Sequence, residues 1–260
     1  MTGRGPSPPD RPVWTIAHRG ASRDRPENTL AAFDEALAQG ADGIELDVQL
    51  SRDGVPMVYH DRTLARAGGG RRRVSQLDAR EIEALDAGVG FDGHSPRQRI
   101  PALEQVLERY GRRTRLLVEI KTREGPPRDL ELARTVARMI DRMGLGAETL
   151  ILCFDARVLA ACVEEAPRVR PALNLKPPPL MTPAIRKRLA ALHALSADVR
   201  TLTIRFGASV RRAGTPLYVY TCNTPRAVRR ALAAGASGVM SDRPRWLARQ
   251  LARAAGKHEA

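Results

Sequence analysis

The chain is 260 residues long, 43% hydrophobic and only 4% aromatic, which is long for a small domain and natural for one α/β barrel with an aliphatic core. Its 43 Lys+Arg stand against 29 Asp+Glu, a formal charge of +14, and such a field draws anions: phosphorylated substrates, anionic lipid head groups or nucleic acid. The densest basic cluster, Arg71-Arg72-Arg73, is too short for a nucleic-acid arm, so the arginines read as solvated helix faces.

In chain order, residues 1–12 are rich in Pro and Gly without an apolar segment, so they read as a disordered tail and not as a secretory signal. From residue 13 onward short apolar runs alternate with helical patterns, which predicts a parallel sheet with helices outside it. A strand at 14–17 leads to a helix over 29–39, with Asn28 as its N-cap and Gly40 as its stop. Strands follow at 43–48 and 56–59, then an excursion over 62–100 rich in Gly and Arg, a helix at 102–110 and a strand at 115–120. A helix at 129–143, a strand at 149–154, a helix at 156–165 and a strand at 169–175 continue the alternation. A proline-rich stretch opens a helix at 183–195, and 201–204 offers a ninth strand. The chain closes with a strand at 217–221, a helix at 225–234, a strand at 238–240, a helix at 244–254 and a tail over 255–260. The link between 48 and 56 is too short for a crossover helix, which needs about a dozen residues. The expectation is therefore a distorted (β/α)8 barrel of the TIM type, one domain over 13–254, with its second helix missing and 62–100 as a small insertion over the mouth.

No apolar run approaches the ~20 residues that span a bilayer. Cys153, Cys162 and Cys222 form no paired motif; three such cysteines suit reduced thiols and a cytoplasmic protein.

Strand alternation carries the chemistry. In Gly43-Ile44-Glu45-Leu46-Asp47-Val48 the apolar residues share one face, which must lie under the helices, so Glu45 and Asp47 are forced inward. Arg115 to Lys121 repeats the arrangement, with Glu119 and Lys121 inward. Barrel active sites lie at strand C-terminal ends, and three converging carboxylates repel unless a cation sits between them. Oxygen-only ligands suit Mg²⁺ or Ca²⁺. His18 and His60 end two strands beside the carboxylate strand and offer an acid and a base. Arg19 and Lys121 hold an anionic group, the first as a fork and the second as a point charge. Together these are the components of phosphodiester cleavage.

Ile16-Ala17-His18-Arg19-Gly20-Ala21, Pro26-Glu27-Asn28-Thr29, Ile44-Glu45-Leu46-Asp47-Val48, Asp53-Gly54-Val55-Pro56, His60-Asp61 and Glu119-Ile120-Lys121 together resemble the glycerophosphodiester phosphodiesterase family. Leu85-Asp86-Ala87-Gly88, Ile100-Pro101-Ala102-Leu103-Glu104 and Ser241-Asp242-Arg243-Pro244 support the resemblance, while residues 165–215 match poorly. The resemblance implies a metal-dependent barrel that hydrolyses glycerophosphodiesters to glycerol 3-phosphate and an alcohol. It implies His18 and His60 as the acid/base pair, Glu45, Asp47 and Glu119 as metal ligands, and Arg19 and Lys121 as phosphate ligands. In the family picture the substrate's own 2-hydroxyl attacks phosphorus and water opens the cyclic product. The chain departs from the family with Cys153 before Phe154, Tyr220 in place of Trp, and Arg66-Ala67-Gly68; Phe154 and Tyr220 are the candidate substrate-pocket walls.

The expected partner is a small glycerophosphodiester, with no nucleic acid and at most peripheral membrane contact through 175–181 and Arg186-Lys187-Arg188. Two rival readings stay open on the residues alone: a same-fold hydrolase of lysophospholipids, and an inactive anion- or nucleic-acid-binding module. Asp61 either orients His60 or faces solvent.

Overall fold

The computed structural model describes residues 13–91, 96–176 and 192–256. Strands β1 (Trp14–His18), β2 (Gly43–Leu50), β4 (Arg115–Ile120), β5 (Thr149–Cys153), β6 (Arg170–Leu175), β7 (Ala194–Asp198), β8 (Leu217–Tyr220) and β9 (Gly238–Ser241) run parallel. Pairing of β1 with both β2 and β9 closes them into a ring. A short β3 (Pro56–Val58) is antiparallel and adds only to the upper end of β2, where Val48 faces Val58.

The β3 pairing corrects the expected missing helix. Residues 51–55 are a tight link within an antiparallel pair, which needs no crossover. The true crossover from β2 to β4 runs through the excursion and α3 (Leu103–Tyr110), so this step of the barrel keeps its helix. Among the described residues the remaining α-helices are α1 (Leu30–Ala38), the one-turn α2 (Ala79–Glu83), α4 (Pro126–Arg142), α5 (Ala156–Glu165), α6 (Ile204–Arg212), α7 (Pro225–Ala233) and α8 (Pro244–Ala255).

The region between 183 and 212 also differs from the sequence expectation. The eighth ring strand is Ala194–Asp198 and not 201–204, where a turn delivers the chain to α6. Thr203 caps that helix by accepting the Phe206 N–H at 3.1 Å. Ala194-Leu195-Ser196-Ala197-Asp198 has weak β propensity and continues a helical apolar pattern; pairing with β6 and β8 makes it a strand. Of the helix expected over 183–195, residues 192–193 are a bend before the strand, while 183–191 lie outside the described residues, as do the 1–12 tail, the basic Arg186-Lys187-Arg188 stretch and residues 257–260 of the C-terminal tail.

Side-chain alternation sorts the strands into two layers. Ile44, Leu46, Val48, Leu116, Val118 and Ile120 pack outward in one buried cluster with α1, α3 and α4. Inside the ring, Ile16, Leu117, Leu152, Ala172, Ala194, Tyr218 and Met240 form an apolar floor. The next inward positions toward the strand C-termini are polar, and they line one pocket of about 570 Å³. Among the described residues no helix is long and apolar enough to cross a membrane.

Candidate active site

The carboxylate cluster is built by register. Glu45 pairs across from His18 on β1, and Asp47 pairs across from Glu119 on β4. One oxygen each from Glu45, Asp47 and Glu119 lies within 4.8 Å of the others. Glu45 and Asp47 are buried, Glu119 partly so. Burial drives the Glu45 carboxyl above the usual carboxylate range, and the Asp47 charge adds to this. Burial acts on Asp47 in the same sense, yet the Lys121 and Arg19 charges outweigh it and hold Asp47 ionised well below that range. Lys121 Nζ lies 2.7 Å from Asp47 and 2.5 Å from Glu119. The expected phosphate ligand therefore rests among the carboxylates, balancing two of the three.

Asn28 is not the N-cap of α1; Thr29 is, accepting the Ala32 N–H at 3.2 Å. Asn28 is instead buried at φ 58°, a left-handed backbone that Asn tolerates better than most residues. There its side-chain amide donates to Asp47 Oδ2 at 2.9 Å, and its Oδ1 accepts the Asp47 backbone N–H at 3.3 Å. Arg19 shares this unusual φ of 58° and lies 3.1 Å from Asp47 and 3.2 Å from Glu27.

Each histidine is backed by an aspartate. His18 Nδ1 is 2.6 Å from Asp242, at the end of β9. Asp242 accepts in turn from the Asn223 amide, which follows β8. His60, two residues past β3, has Nδ1 2.8 Å from Asp61. Asp61 accepts from Arg66, Arg66 also donates to Glu27, and Glu27 accepts from Arg19. With Nδ1–H given to a carboxylate, each ring leaves Nε2 for the pocket. Burial pulls the His18 pKa down, but the Asp242 hydrogen bond and the Glu45 charge overcome it and hold it above the usual imidazole range. For His60, burial wins: helped by Arg19 and Lys121 against the Asp47 and Asp61 carboxylates, it keeps the ring below that range.

Phe154 lies past the end of β5, 46% exposed and lining the pocket. Tyr220 lines it from β8, its hydroxyl donating to the Leu175 carbonyl at 3.4 Å. Cys153 points outward into the buried core and takes no part. All nine side chains expected at the site thus lie at one mouth of the barrel, joined by Asn28, Asp61, Arg66, Asn223 and Asp242. Asp61 and Asp242 had a readable signal, since each stands at a strand end within a motif; Asn28 was hidden by its suitability as a cap.

A (β/α)8 barrel bearing three clustered carboxylates, two aspartate-backed histidines and an Arg/Lys pair is a phosphodiester hydrolase by its make-up. The sequence model of the glycerophosphoryl diester phosphodiesterase family matches residues 18–245. A glycerophosphodiester phosphodiesterase of Caldanaerobacter subterraneus subsp. tengcongensis is 32% identical over 235 residues, 89% of this chain and 95% of that protein. One from Bacillus subtilis is 30% identical over 251 residues, 91% of this chain and 85% of its own. The crystal structure of a glycerophosphodiester phosphodiesterase from Agrobacterium tumefaciens has a TM-score of 0.74 at 29% identity, covering 91% of this chain and 99% of that one. A phosphodiesterase of Oleispira antarctica, solved in complex with the product sn-glycerol-3-phosphate, shares the fold with a TM-score of 0.79 at 24% identity, covering 93% and 97%. The chain belongs to the glycerophosphoryl diester phosphodiesterase family, whose members hydrolyse glycerophosphodiesters and in general depend on a divalent metal.

Proposed function

We propose that this enzyme cleaves glycerophosphodiesters to glycerol 3-phosphate and an alcohol, with Glu45, Asp47 and Glu119 holding one divalent cation and His18 and His60 moving the protons. The observation that carries the reading is the convergence of that carboxylate cluster and both aspartate-backed histidines on a single pocket. The donor set fits a hard cation: all three ligands are carboxylates, and the burial that protonates Glu45 is reversed by positive charge beside it. Mg²⁺ and Ca²⁺ both suit it, and when bound the cation neutralises phosphate charge. With a cation held by the carboxylates, the Lys121 ammonium would be free to pair with the phosphate, where Arg19 would add its fork.

His60, whose neutral form is favoured by burial, takes the proton of the attacking hydroxyl. His18, whose protonated form is favoured by Asp242 at 2.6 Å, gives a proton to the leaving alcohol oxygen. Environments that push two titratable groups apart in this way assign the base and the acid. Asp61 and Asp242 fix each ring's tautomer. The three buried free thiols accord with a reducing, cytoplasmic setting, and the expected partner is the small diester alone, with no nucleic acid and at most peripheral membrane contact.

The test is hydrolysis of a glycerophosphodiester panel with Mg²⁺, Ca²⁺ or EDTA. Chelation abolishes turnover and re-addition restores it, while Glu45→Ala stays folded and inactive. Full activity in a verified metal-free preparation would overturn the assignment.

A further inference from the structure

The pocket is larger than the catalytic cluster needs. In the ring β6 lies across from β1, and β7 across from β2, so a second wall faces the carboxylates and histidines. Two side chains on that wall carry no catalytic duty. Asn174 on β6 and Ser196 on β7 are paired in register, line the pocket and are 3% and 0% exposed. Asn174 Oδ1 and Ser196 Oγ have no hydrogen-bond partner among the described residues. Two adjacent buried polar atoms left unpaired cost free energy until a ligand group or a water satisfies them. An amide oxygen beside a hydroxyl matches neighbouring hydroxyls of a polyol, one donating to Asn174 and the next exchanging with Ser196.

Charge on the same wall narrows the ligand further. Its one carboxylate among the described residues, Asp198, is buried and already paired with Arg200 at 2.6 Å and with Lys176 at 3.8 Å. Arg123 adds another cation to the pocket lining. Phe154 and Tyr220 flank this wall, but a quaternary ammonium head group also needs an uncommitted anion or freedom from like charge, and here Lys176 and Arg200 together outnumber Asp198.

We propose that Asn174 and Ser196 form the subsite for the departing alcohol, and that it selects hydroxylated, uncharged or anionic head groups over choline. The proposal rests on the glycerophosphodiester reading above and names the half of the substrate that reading leaves open.

The experiment measures kcat/KM for glycerophosphoglycerol, glycerophosphoinositol and glycerophosphocholine with saturating divalent cation. The wild-type enzyme prefers the two polyol esters, and Asn174→Ala and Ser196→Ala each cut that preference by about tenfold, as expected for a lost buried hydrogen bond. Asn174→Asp, which adds an uncommitted anion, raises the relative rate on the choline ester, a gain that misfolding does not produce. A wild-type enzyme that favours choline or does not discriminate overturns the proposal. So does an equal loss on all three esters, which assigns these residues to the glycerol half. Hydrolysis of none of the three by the loaded wild-type enzyme removes the underlying reading as well, and is distinguished by its independence of the head group.

Discussion

At the scale of single residues the site works by pairing each reactive group with a fixed partner of opposite character. In the proposed mechanism His18 is protonated below its raised pKa and lost as an acid when pH climbs through it, and His60 is a base above its lowered pKa and lost when pH falls through it. The pH–rate profile of the metal-loaded enzyme is therefore bell-shaped, with its plateau spanning the usual imidazole range. Asp242→Asn removes an influence that raises the His18 pKa, so the alkaline limb moves to lower pH by about one unit; an unmoved limb would show that Asp242 does not act through His18. Asp61→Asn moves the acid limb the same way, because Asp61 supports protonated His60. Asn28 acts on the carboxylates: with both hydrogen bonds to Asp47 gone, Asn28→Ala weakens metal affinity by about 10–100-fold, read by titration calorimetry. The charged side chains that meet at the mouth were legible in the strands because inward charge on a barrel strand has few structural excuses. Their partners were less so, since Asn28 satisfies local capping rules equally well and only the distance to Asp47 reveals its use.

Among elements, the decisive placements are those made by long-range pairing. β3 is no barrel strand, and β7 is one in spite of a composition that reads as helix. The 62–100 excursion is tied to the site by Arg66, which joins Asp61 and Glu27, so a surface insertion helps to hold the His60 side of the mouth. On the far flank α6 meets the end of α7 at Gly207, where an added Cβ would collide with the Ala234 carbonyl. Gly207→Ala is expected to cost about 2 kcal/mol or more and to lower Tm by about 5 °C, with KM unchanged at assay temperature; thermal melts and kinetics on one preparation check this. Sequence patterning found most helices because an amphipathic stripe is a local property.

For the molecule as a whole, the barrel gathers buried like charges and so stores a cost that a cation relieves. A divalent ion at 100-fold its Kd adds about 2.7 kcal/mol of stability, a Tm rise of about 5–10 °C that Glu45→Gln largely removes. Calorimetric melts with and without Mg²⁺ or Ca²⁺ provide the measurement, and a wild-type Tm indifferent to both would contradict the metal assignment. The net charge of +14 complements an anionic substrate and needs no nucleic-acid partner to explain it.

The order of motifs determined the family, the barrel class and which charged side chains turn inward, because alternation along a strand and the demand for an apolar outer face are written residue by residue. Tertiary structure alone decided that residues 194–198 complete the ring, that β3 stands outside it, and that Asn28, Asp242 and Arg66 contact Asp47, His18 and Asp61. The same is true of the Asn174–Ser196 wall. Those relations join positions far apart in the chain, and their energies depend on distances and burial that exist only once the ring has closed.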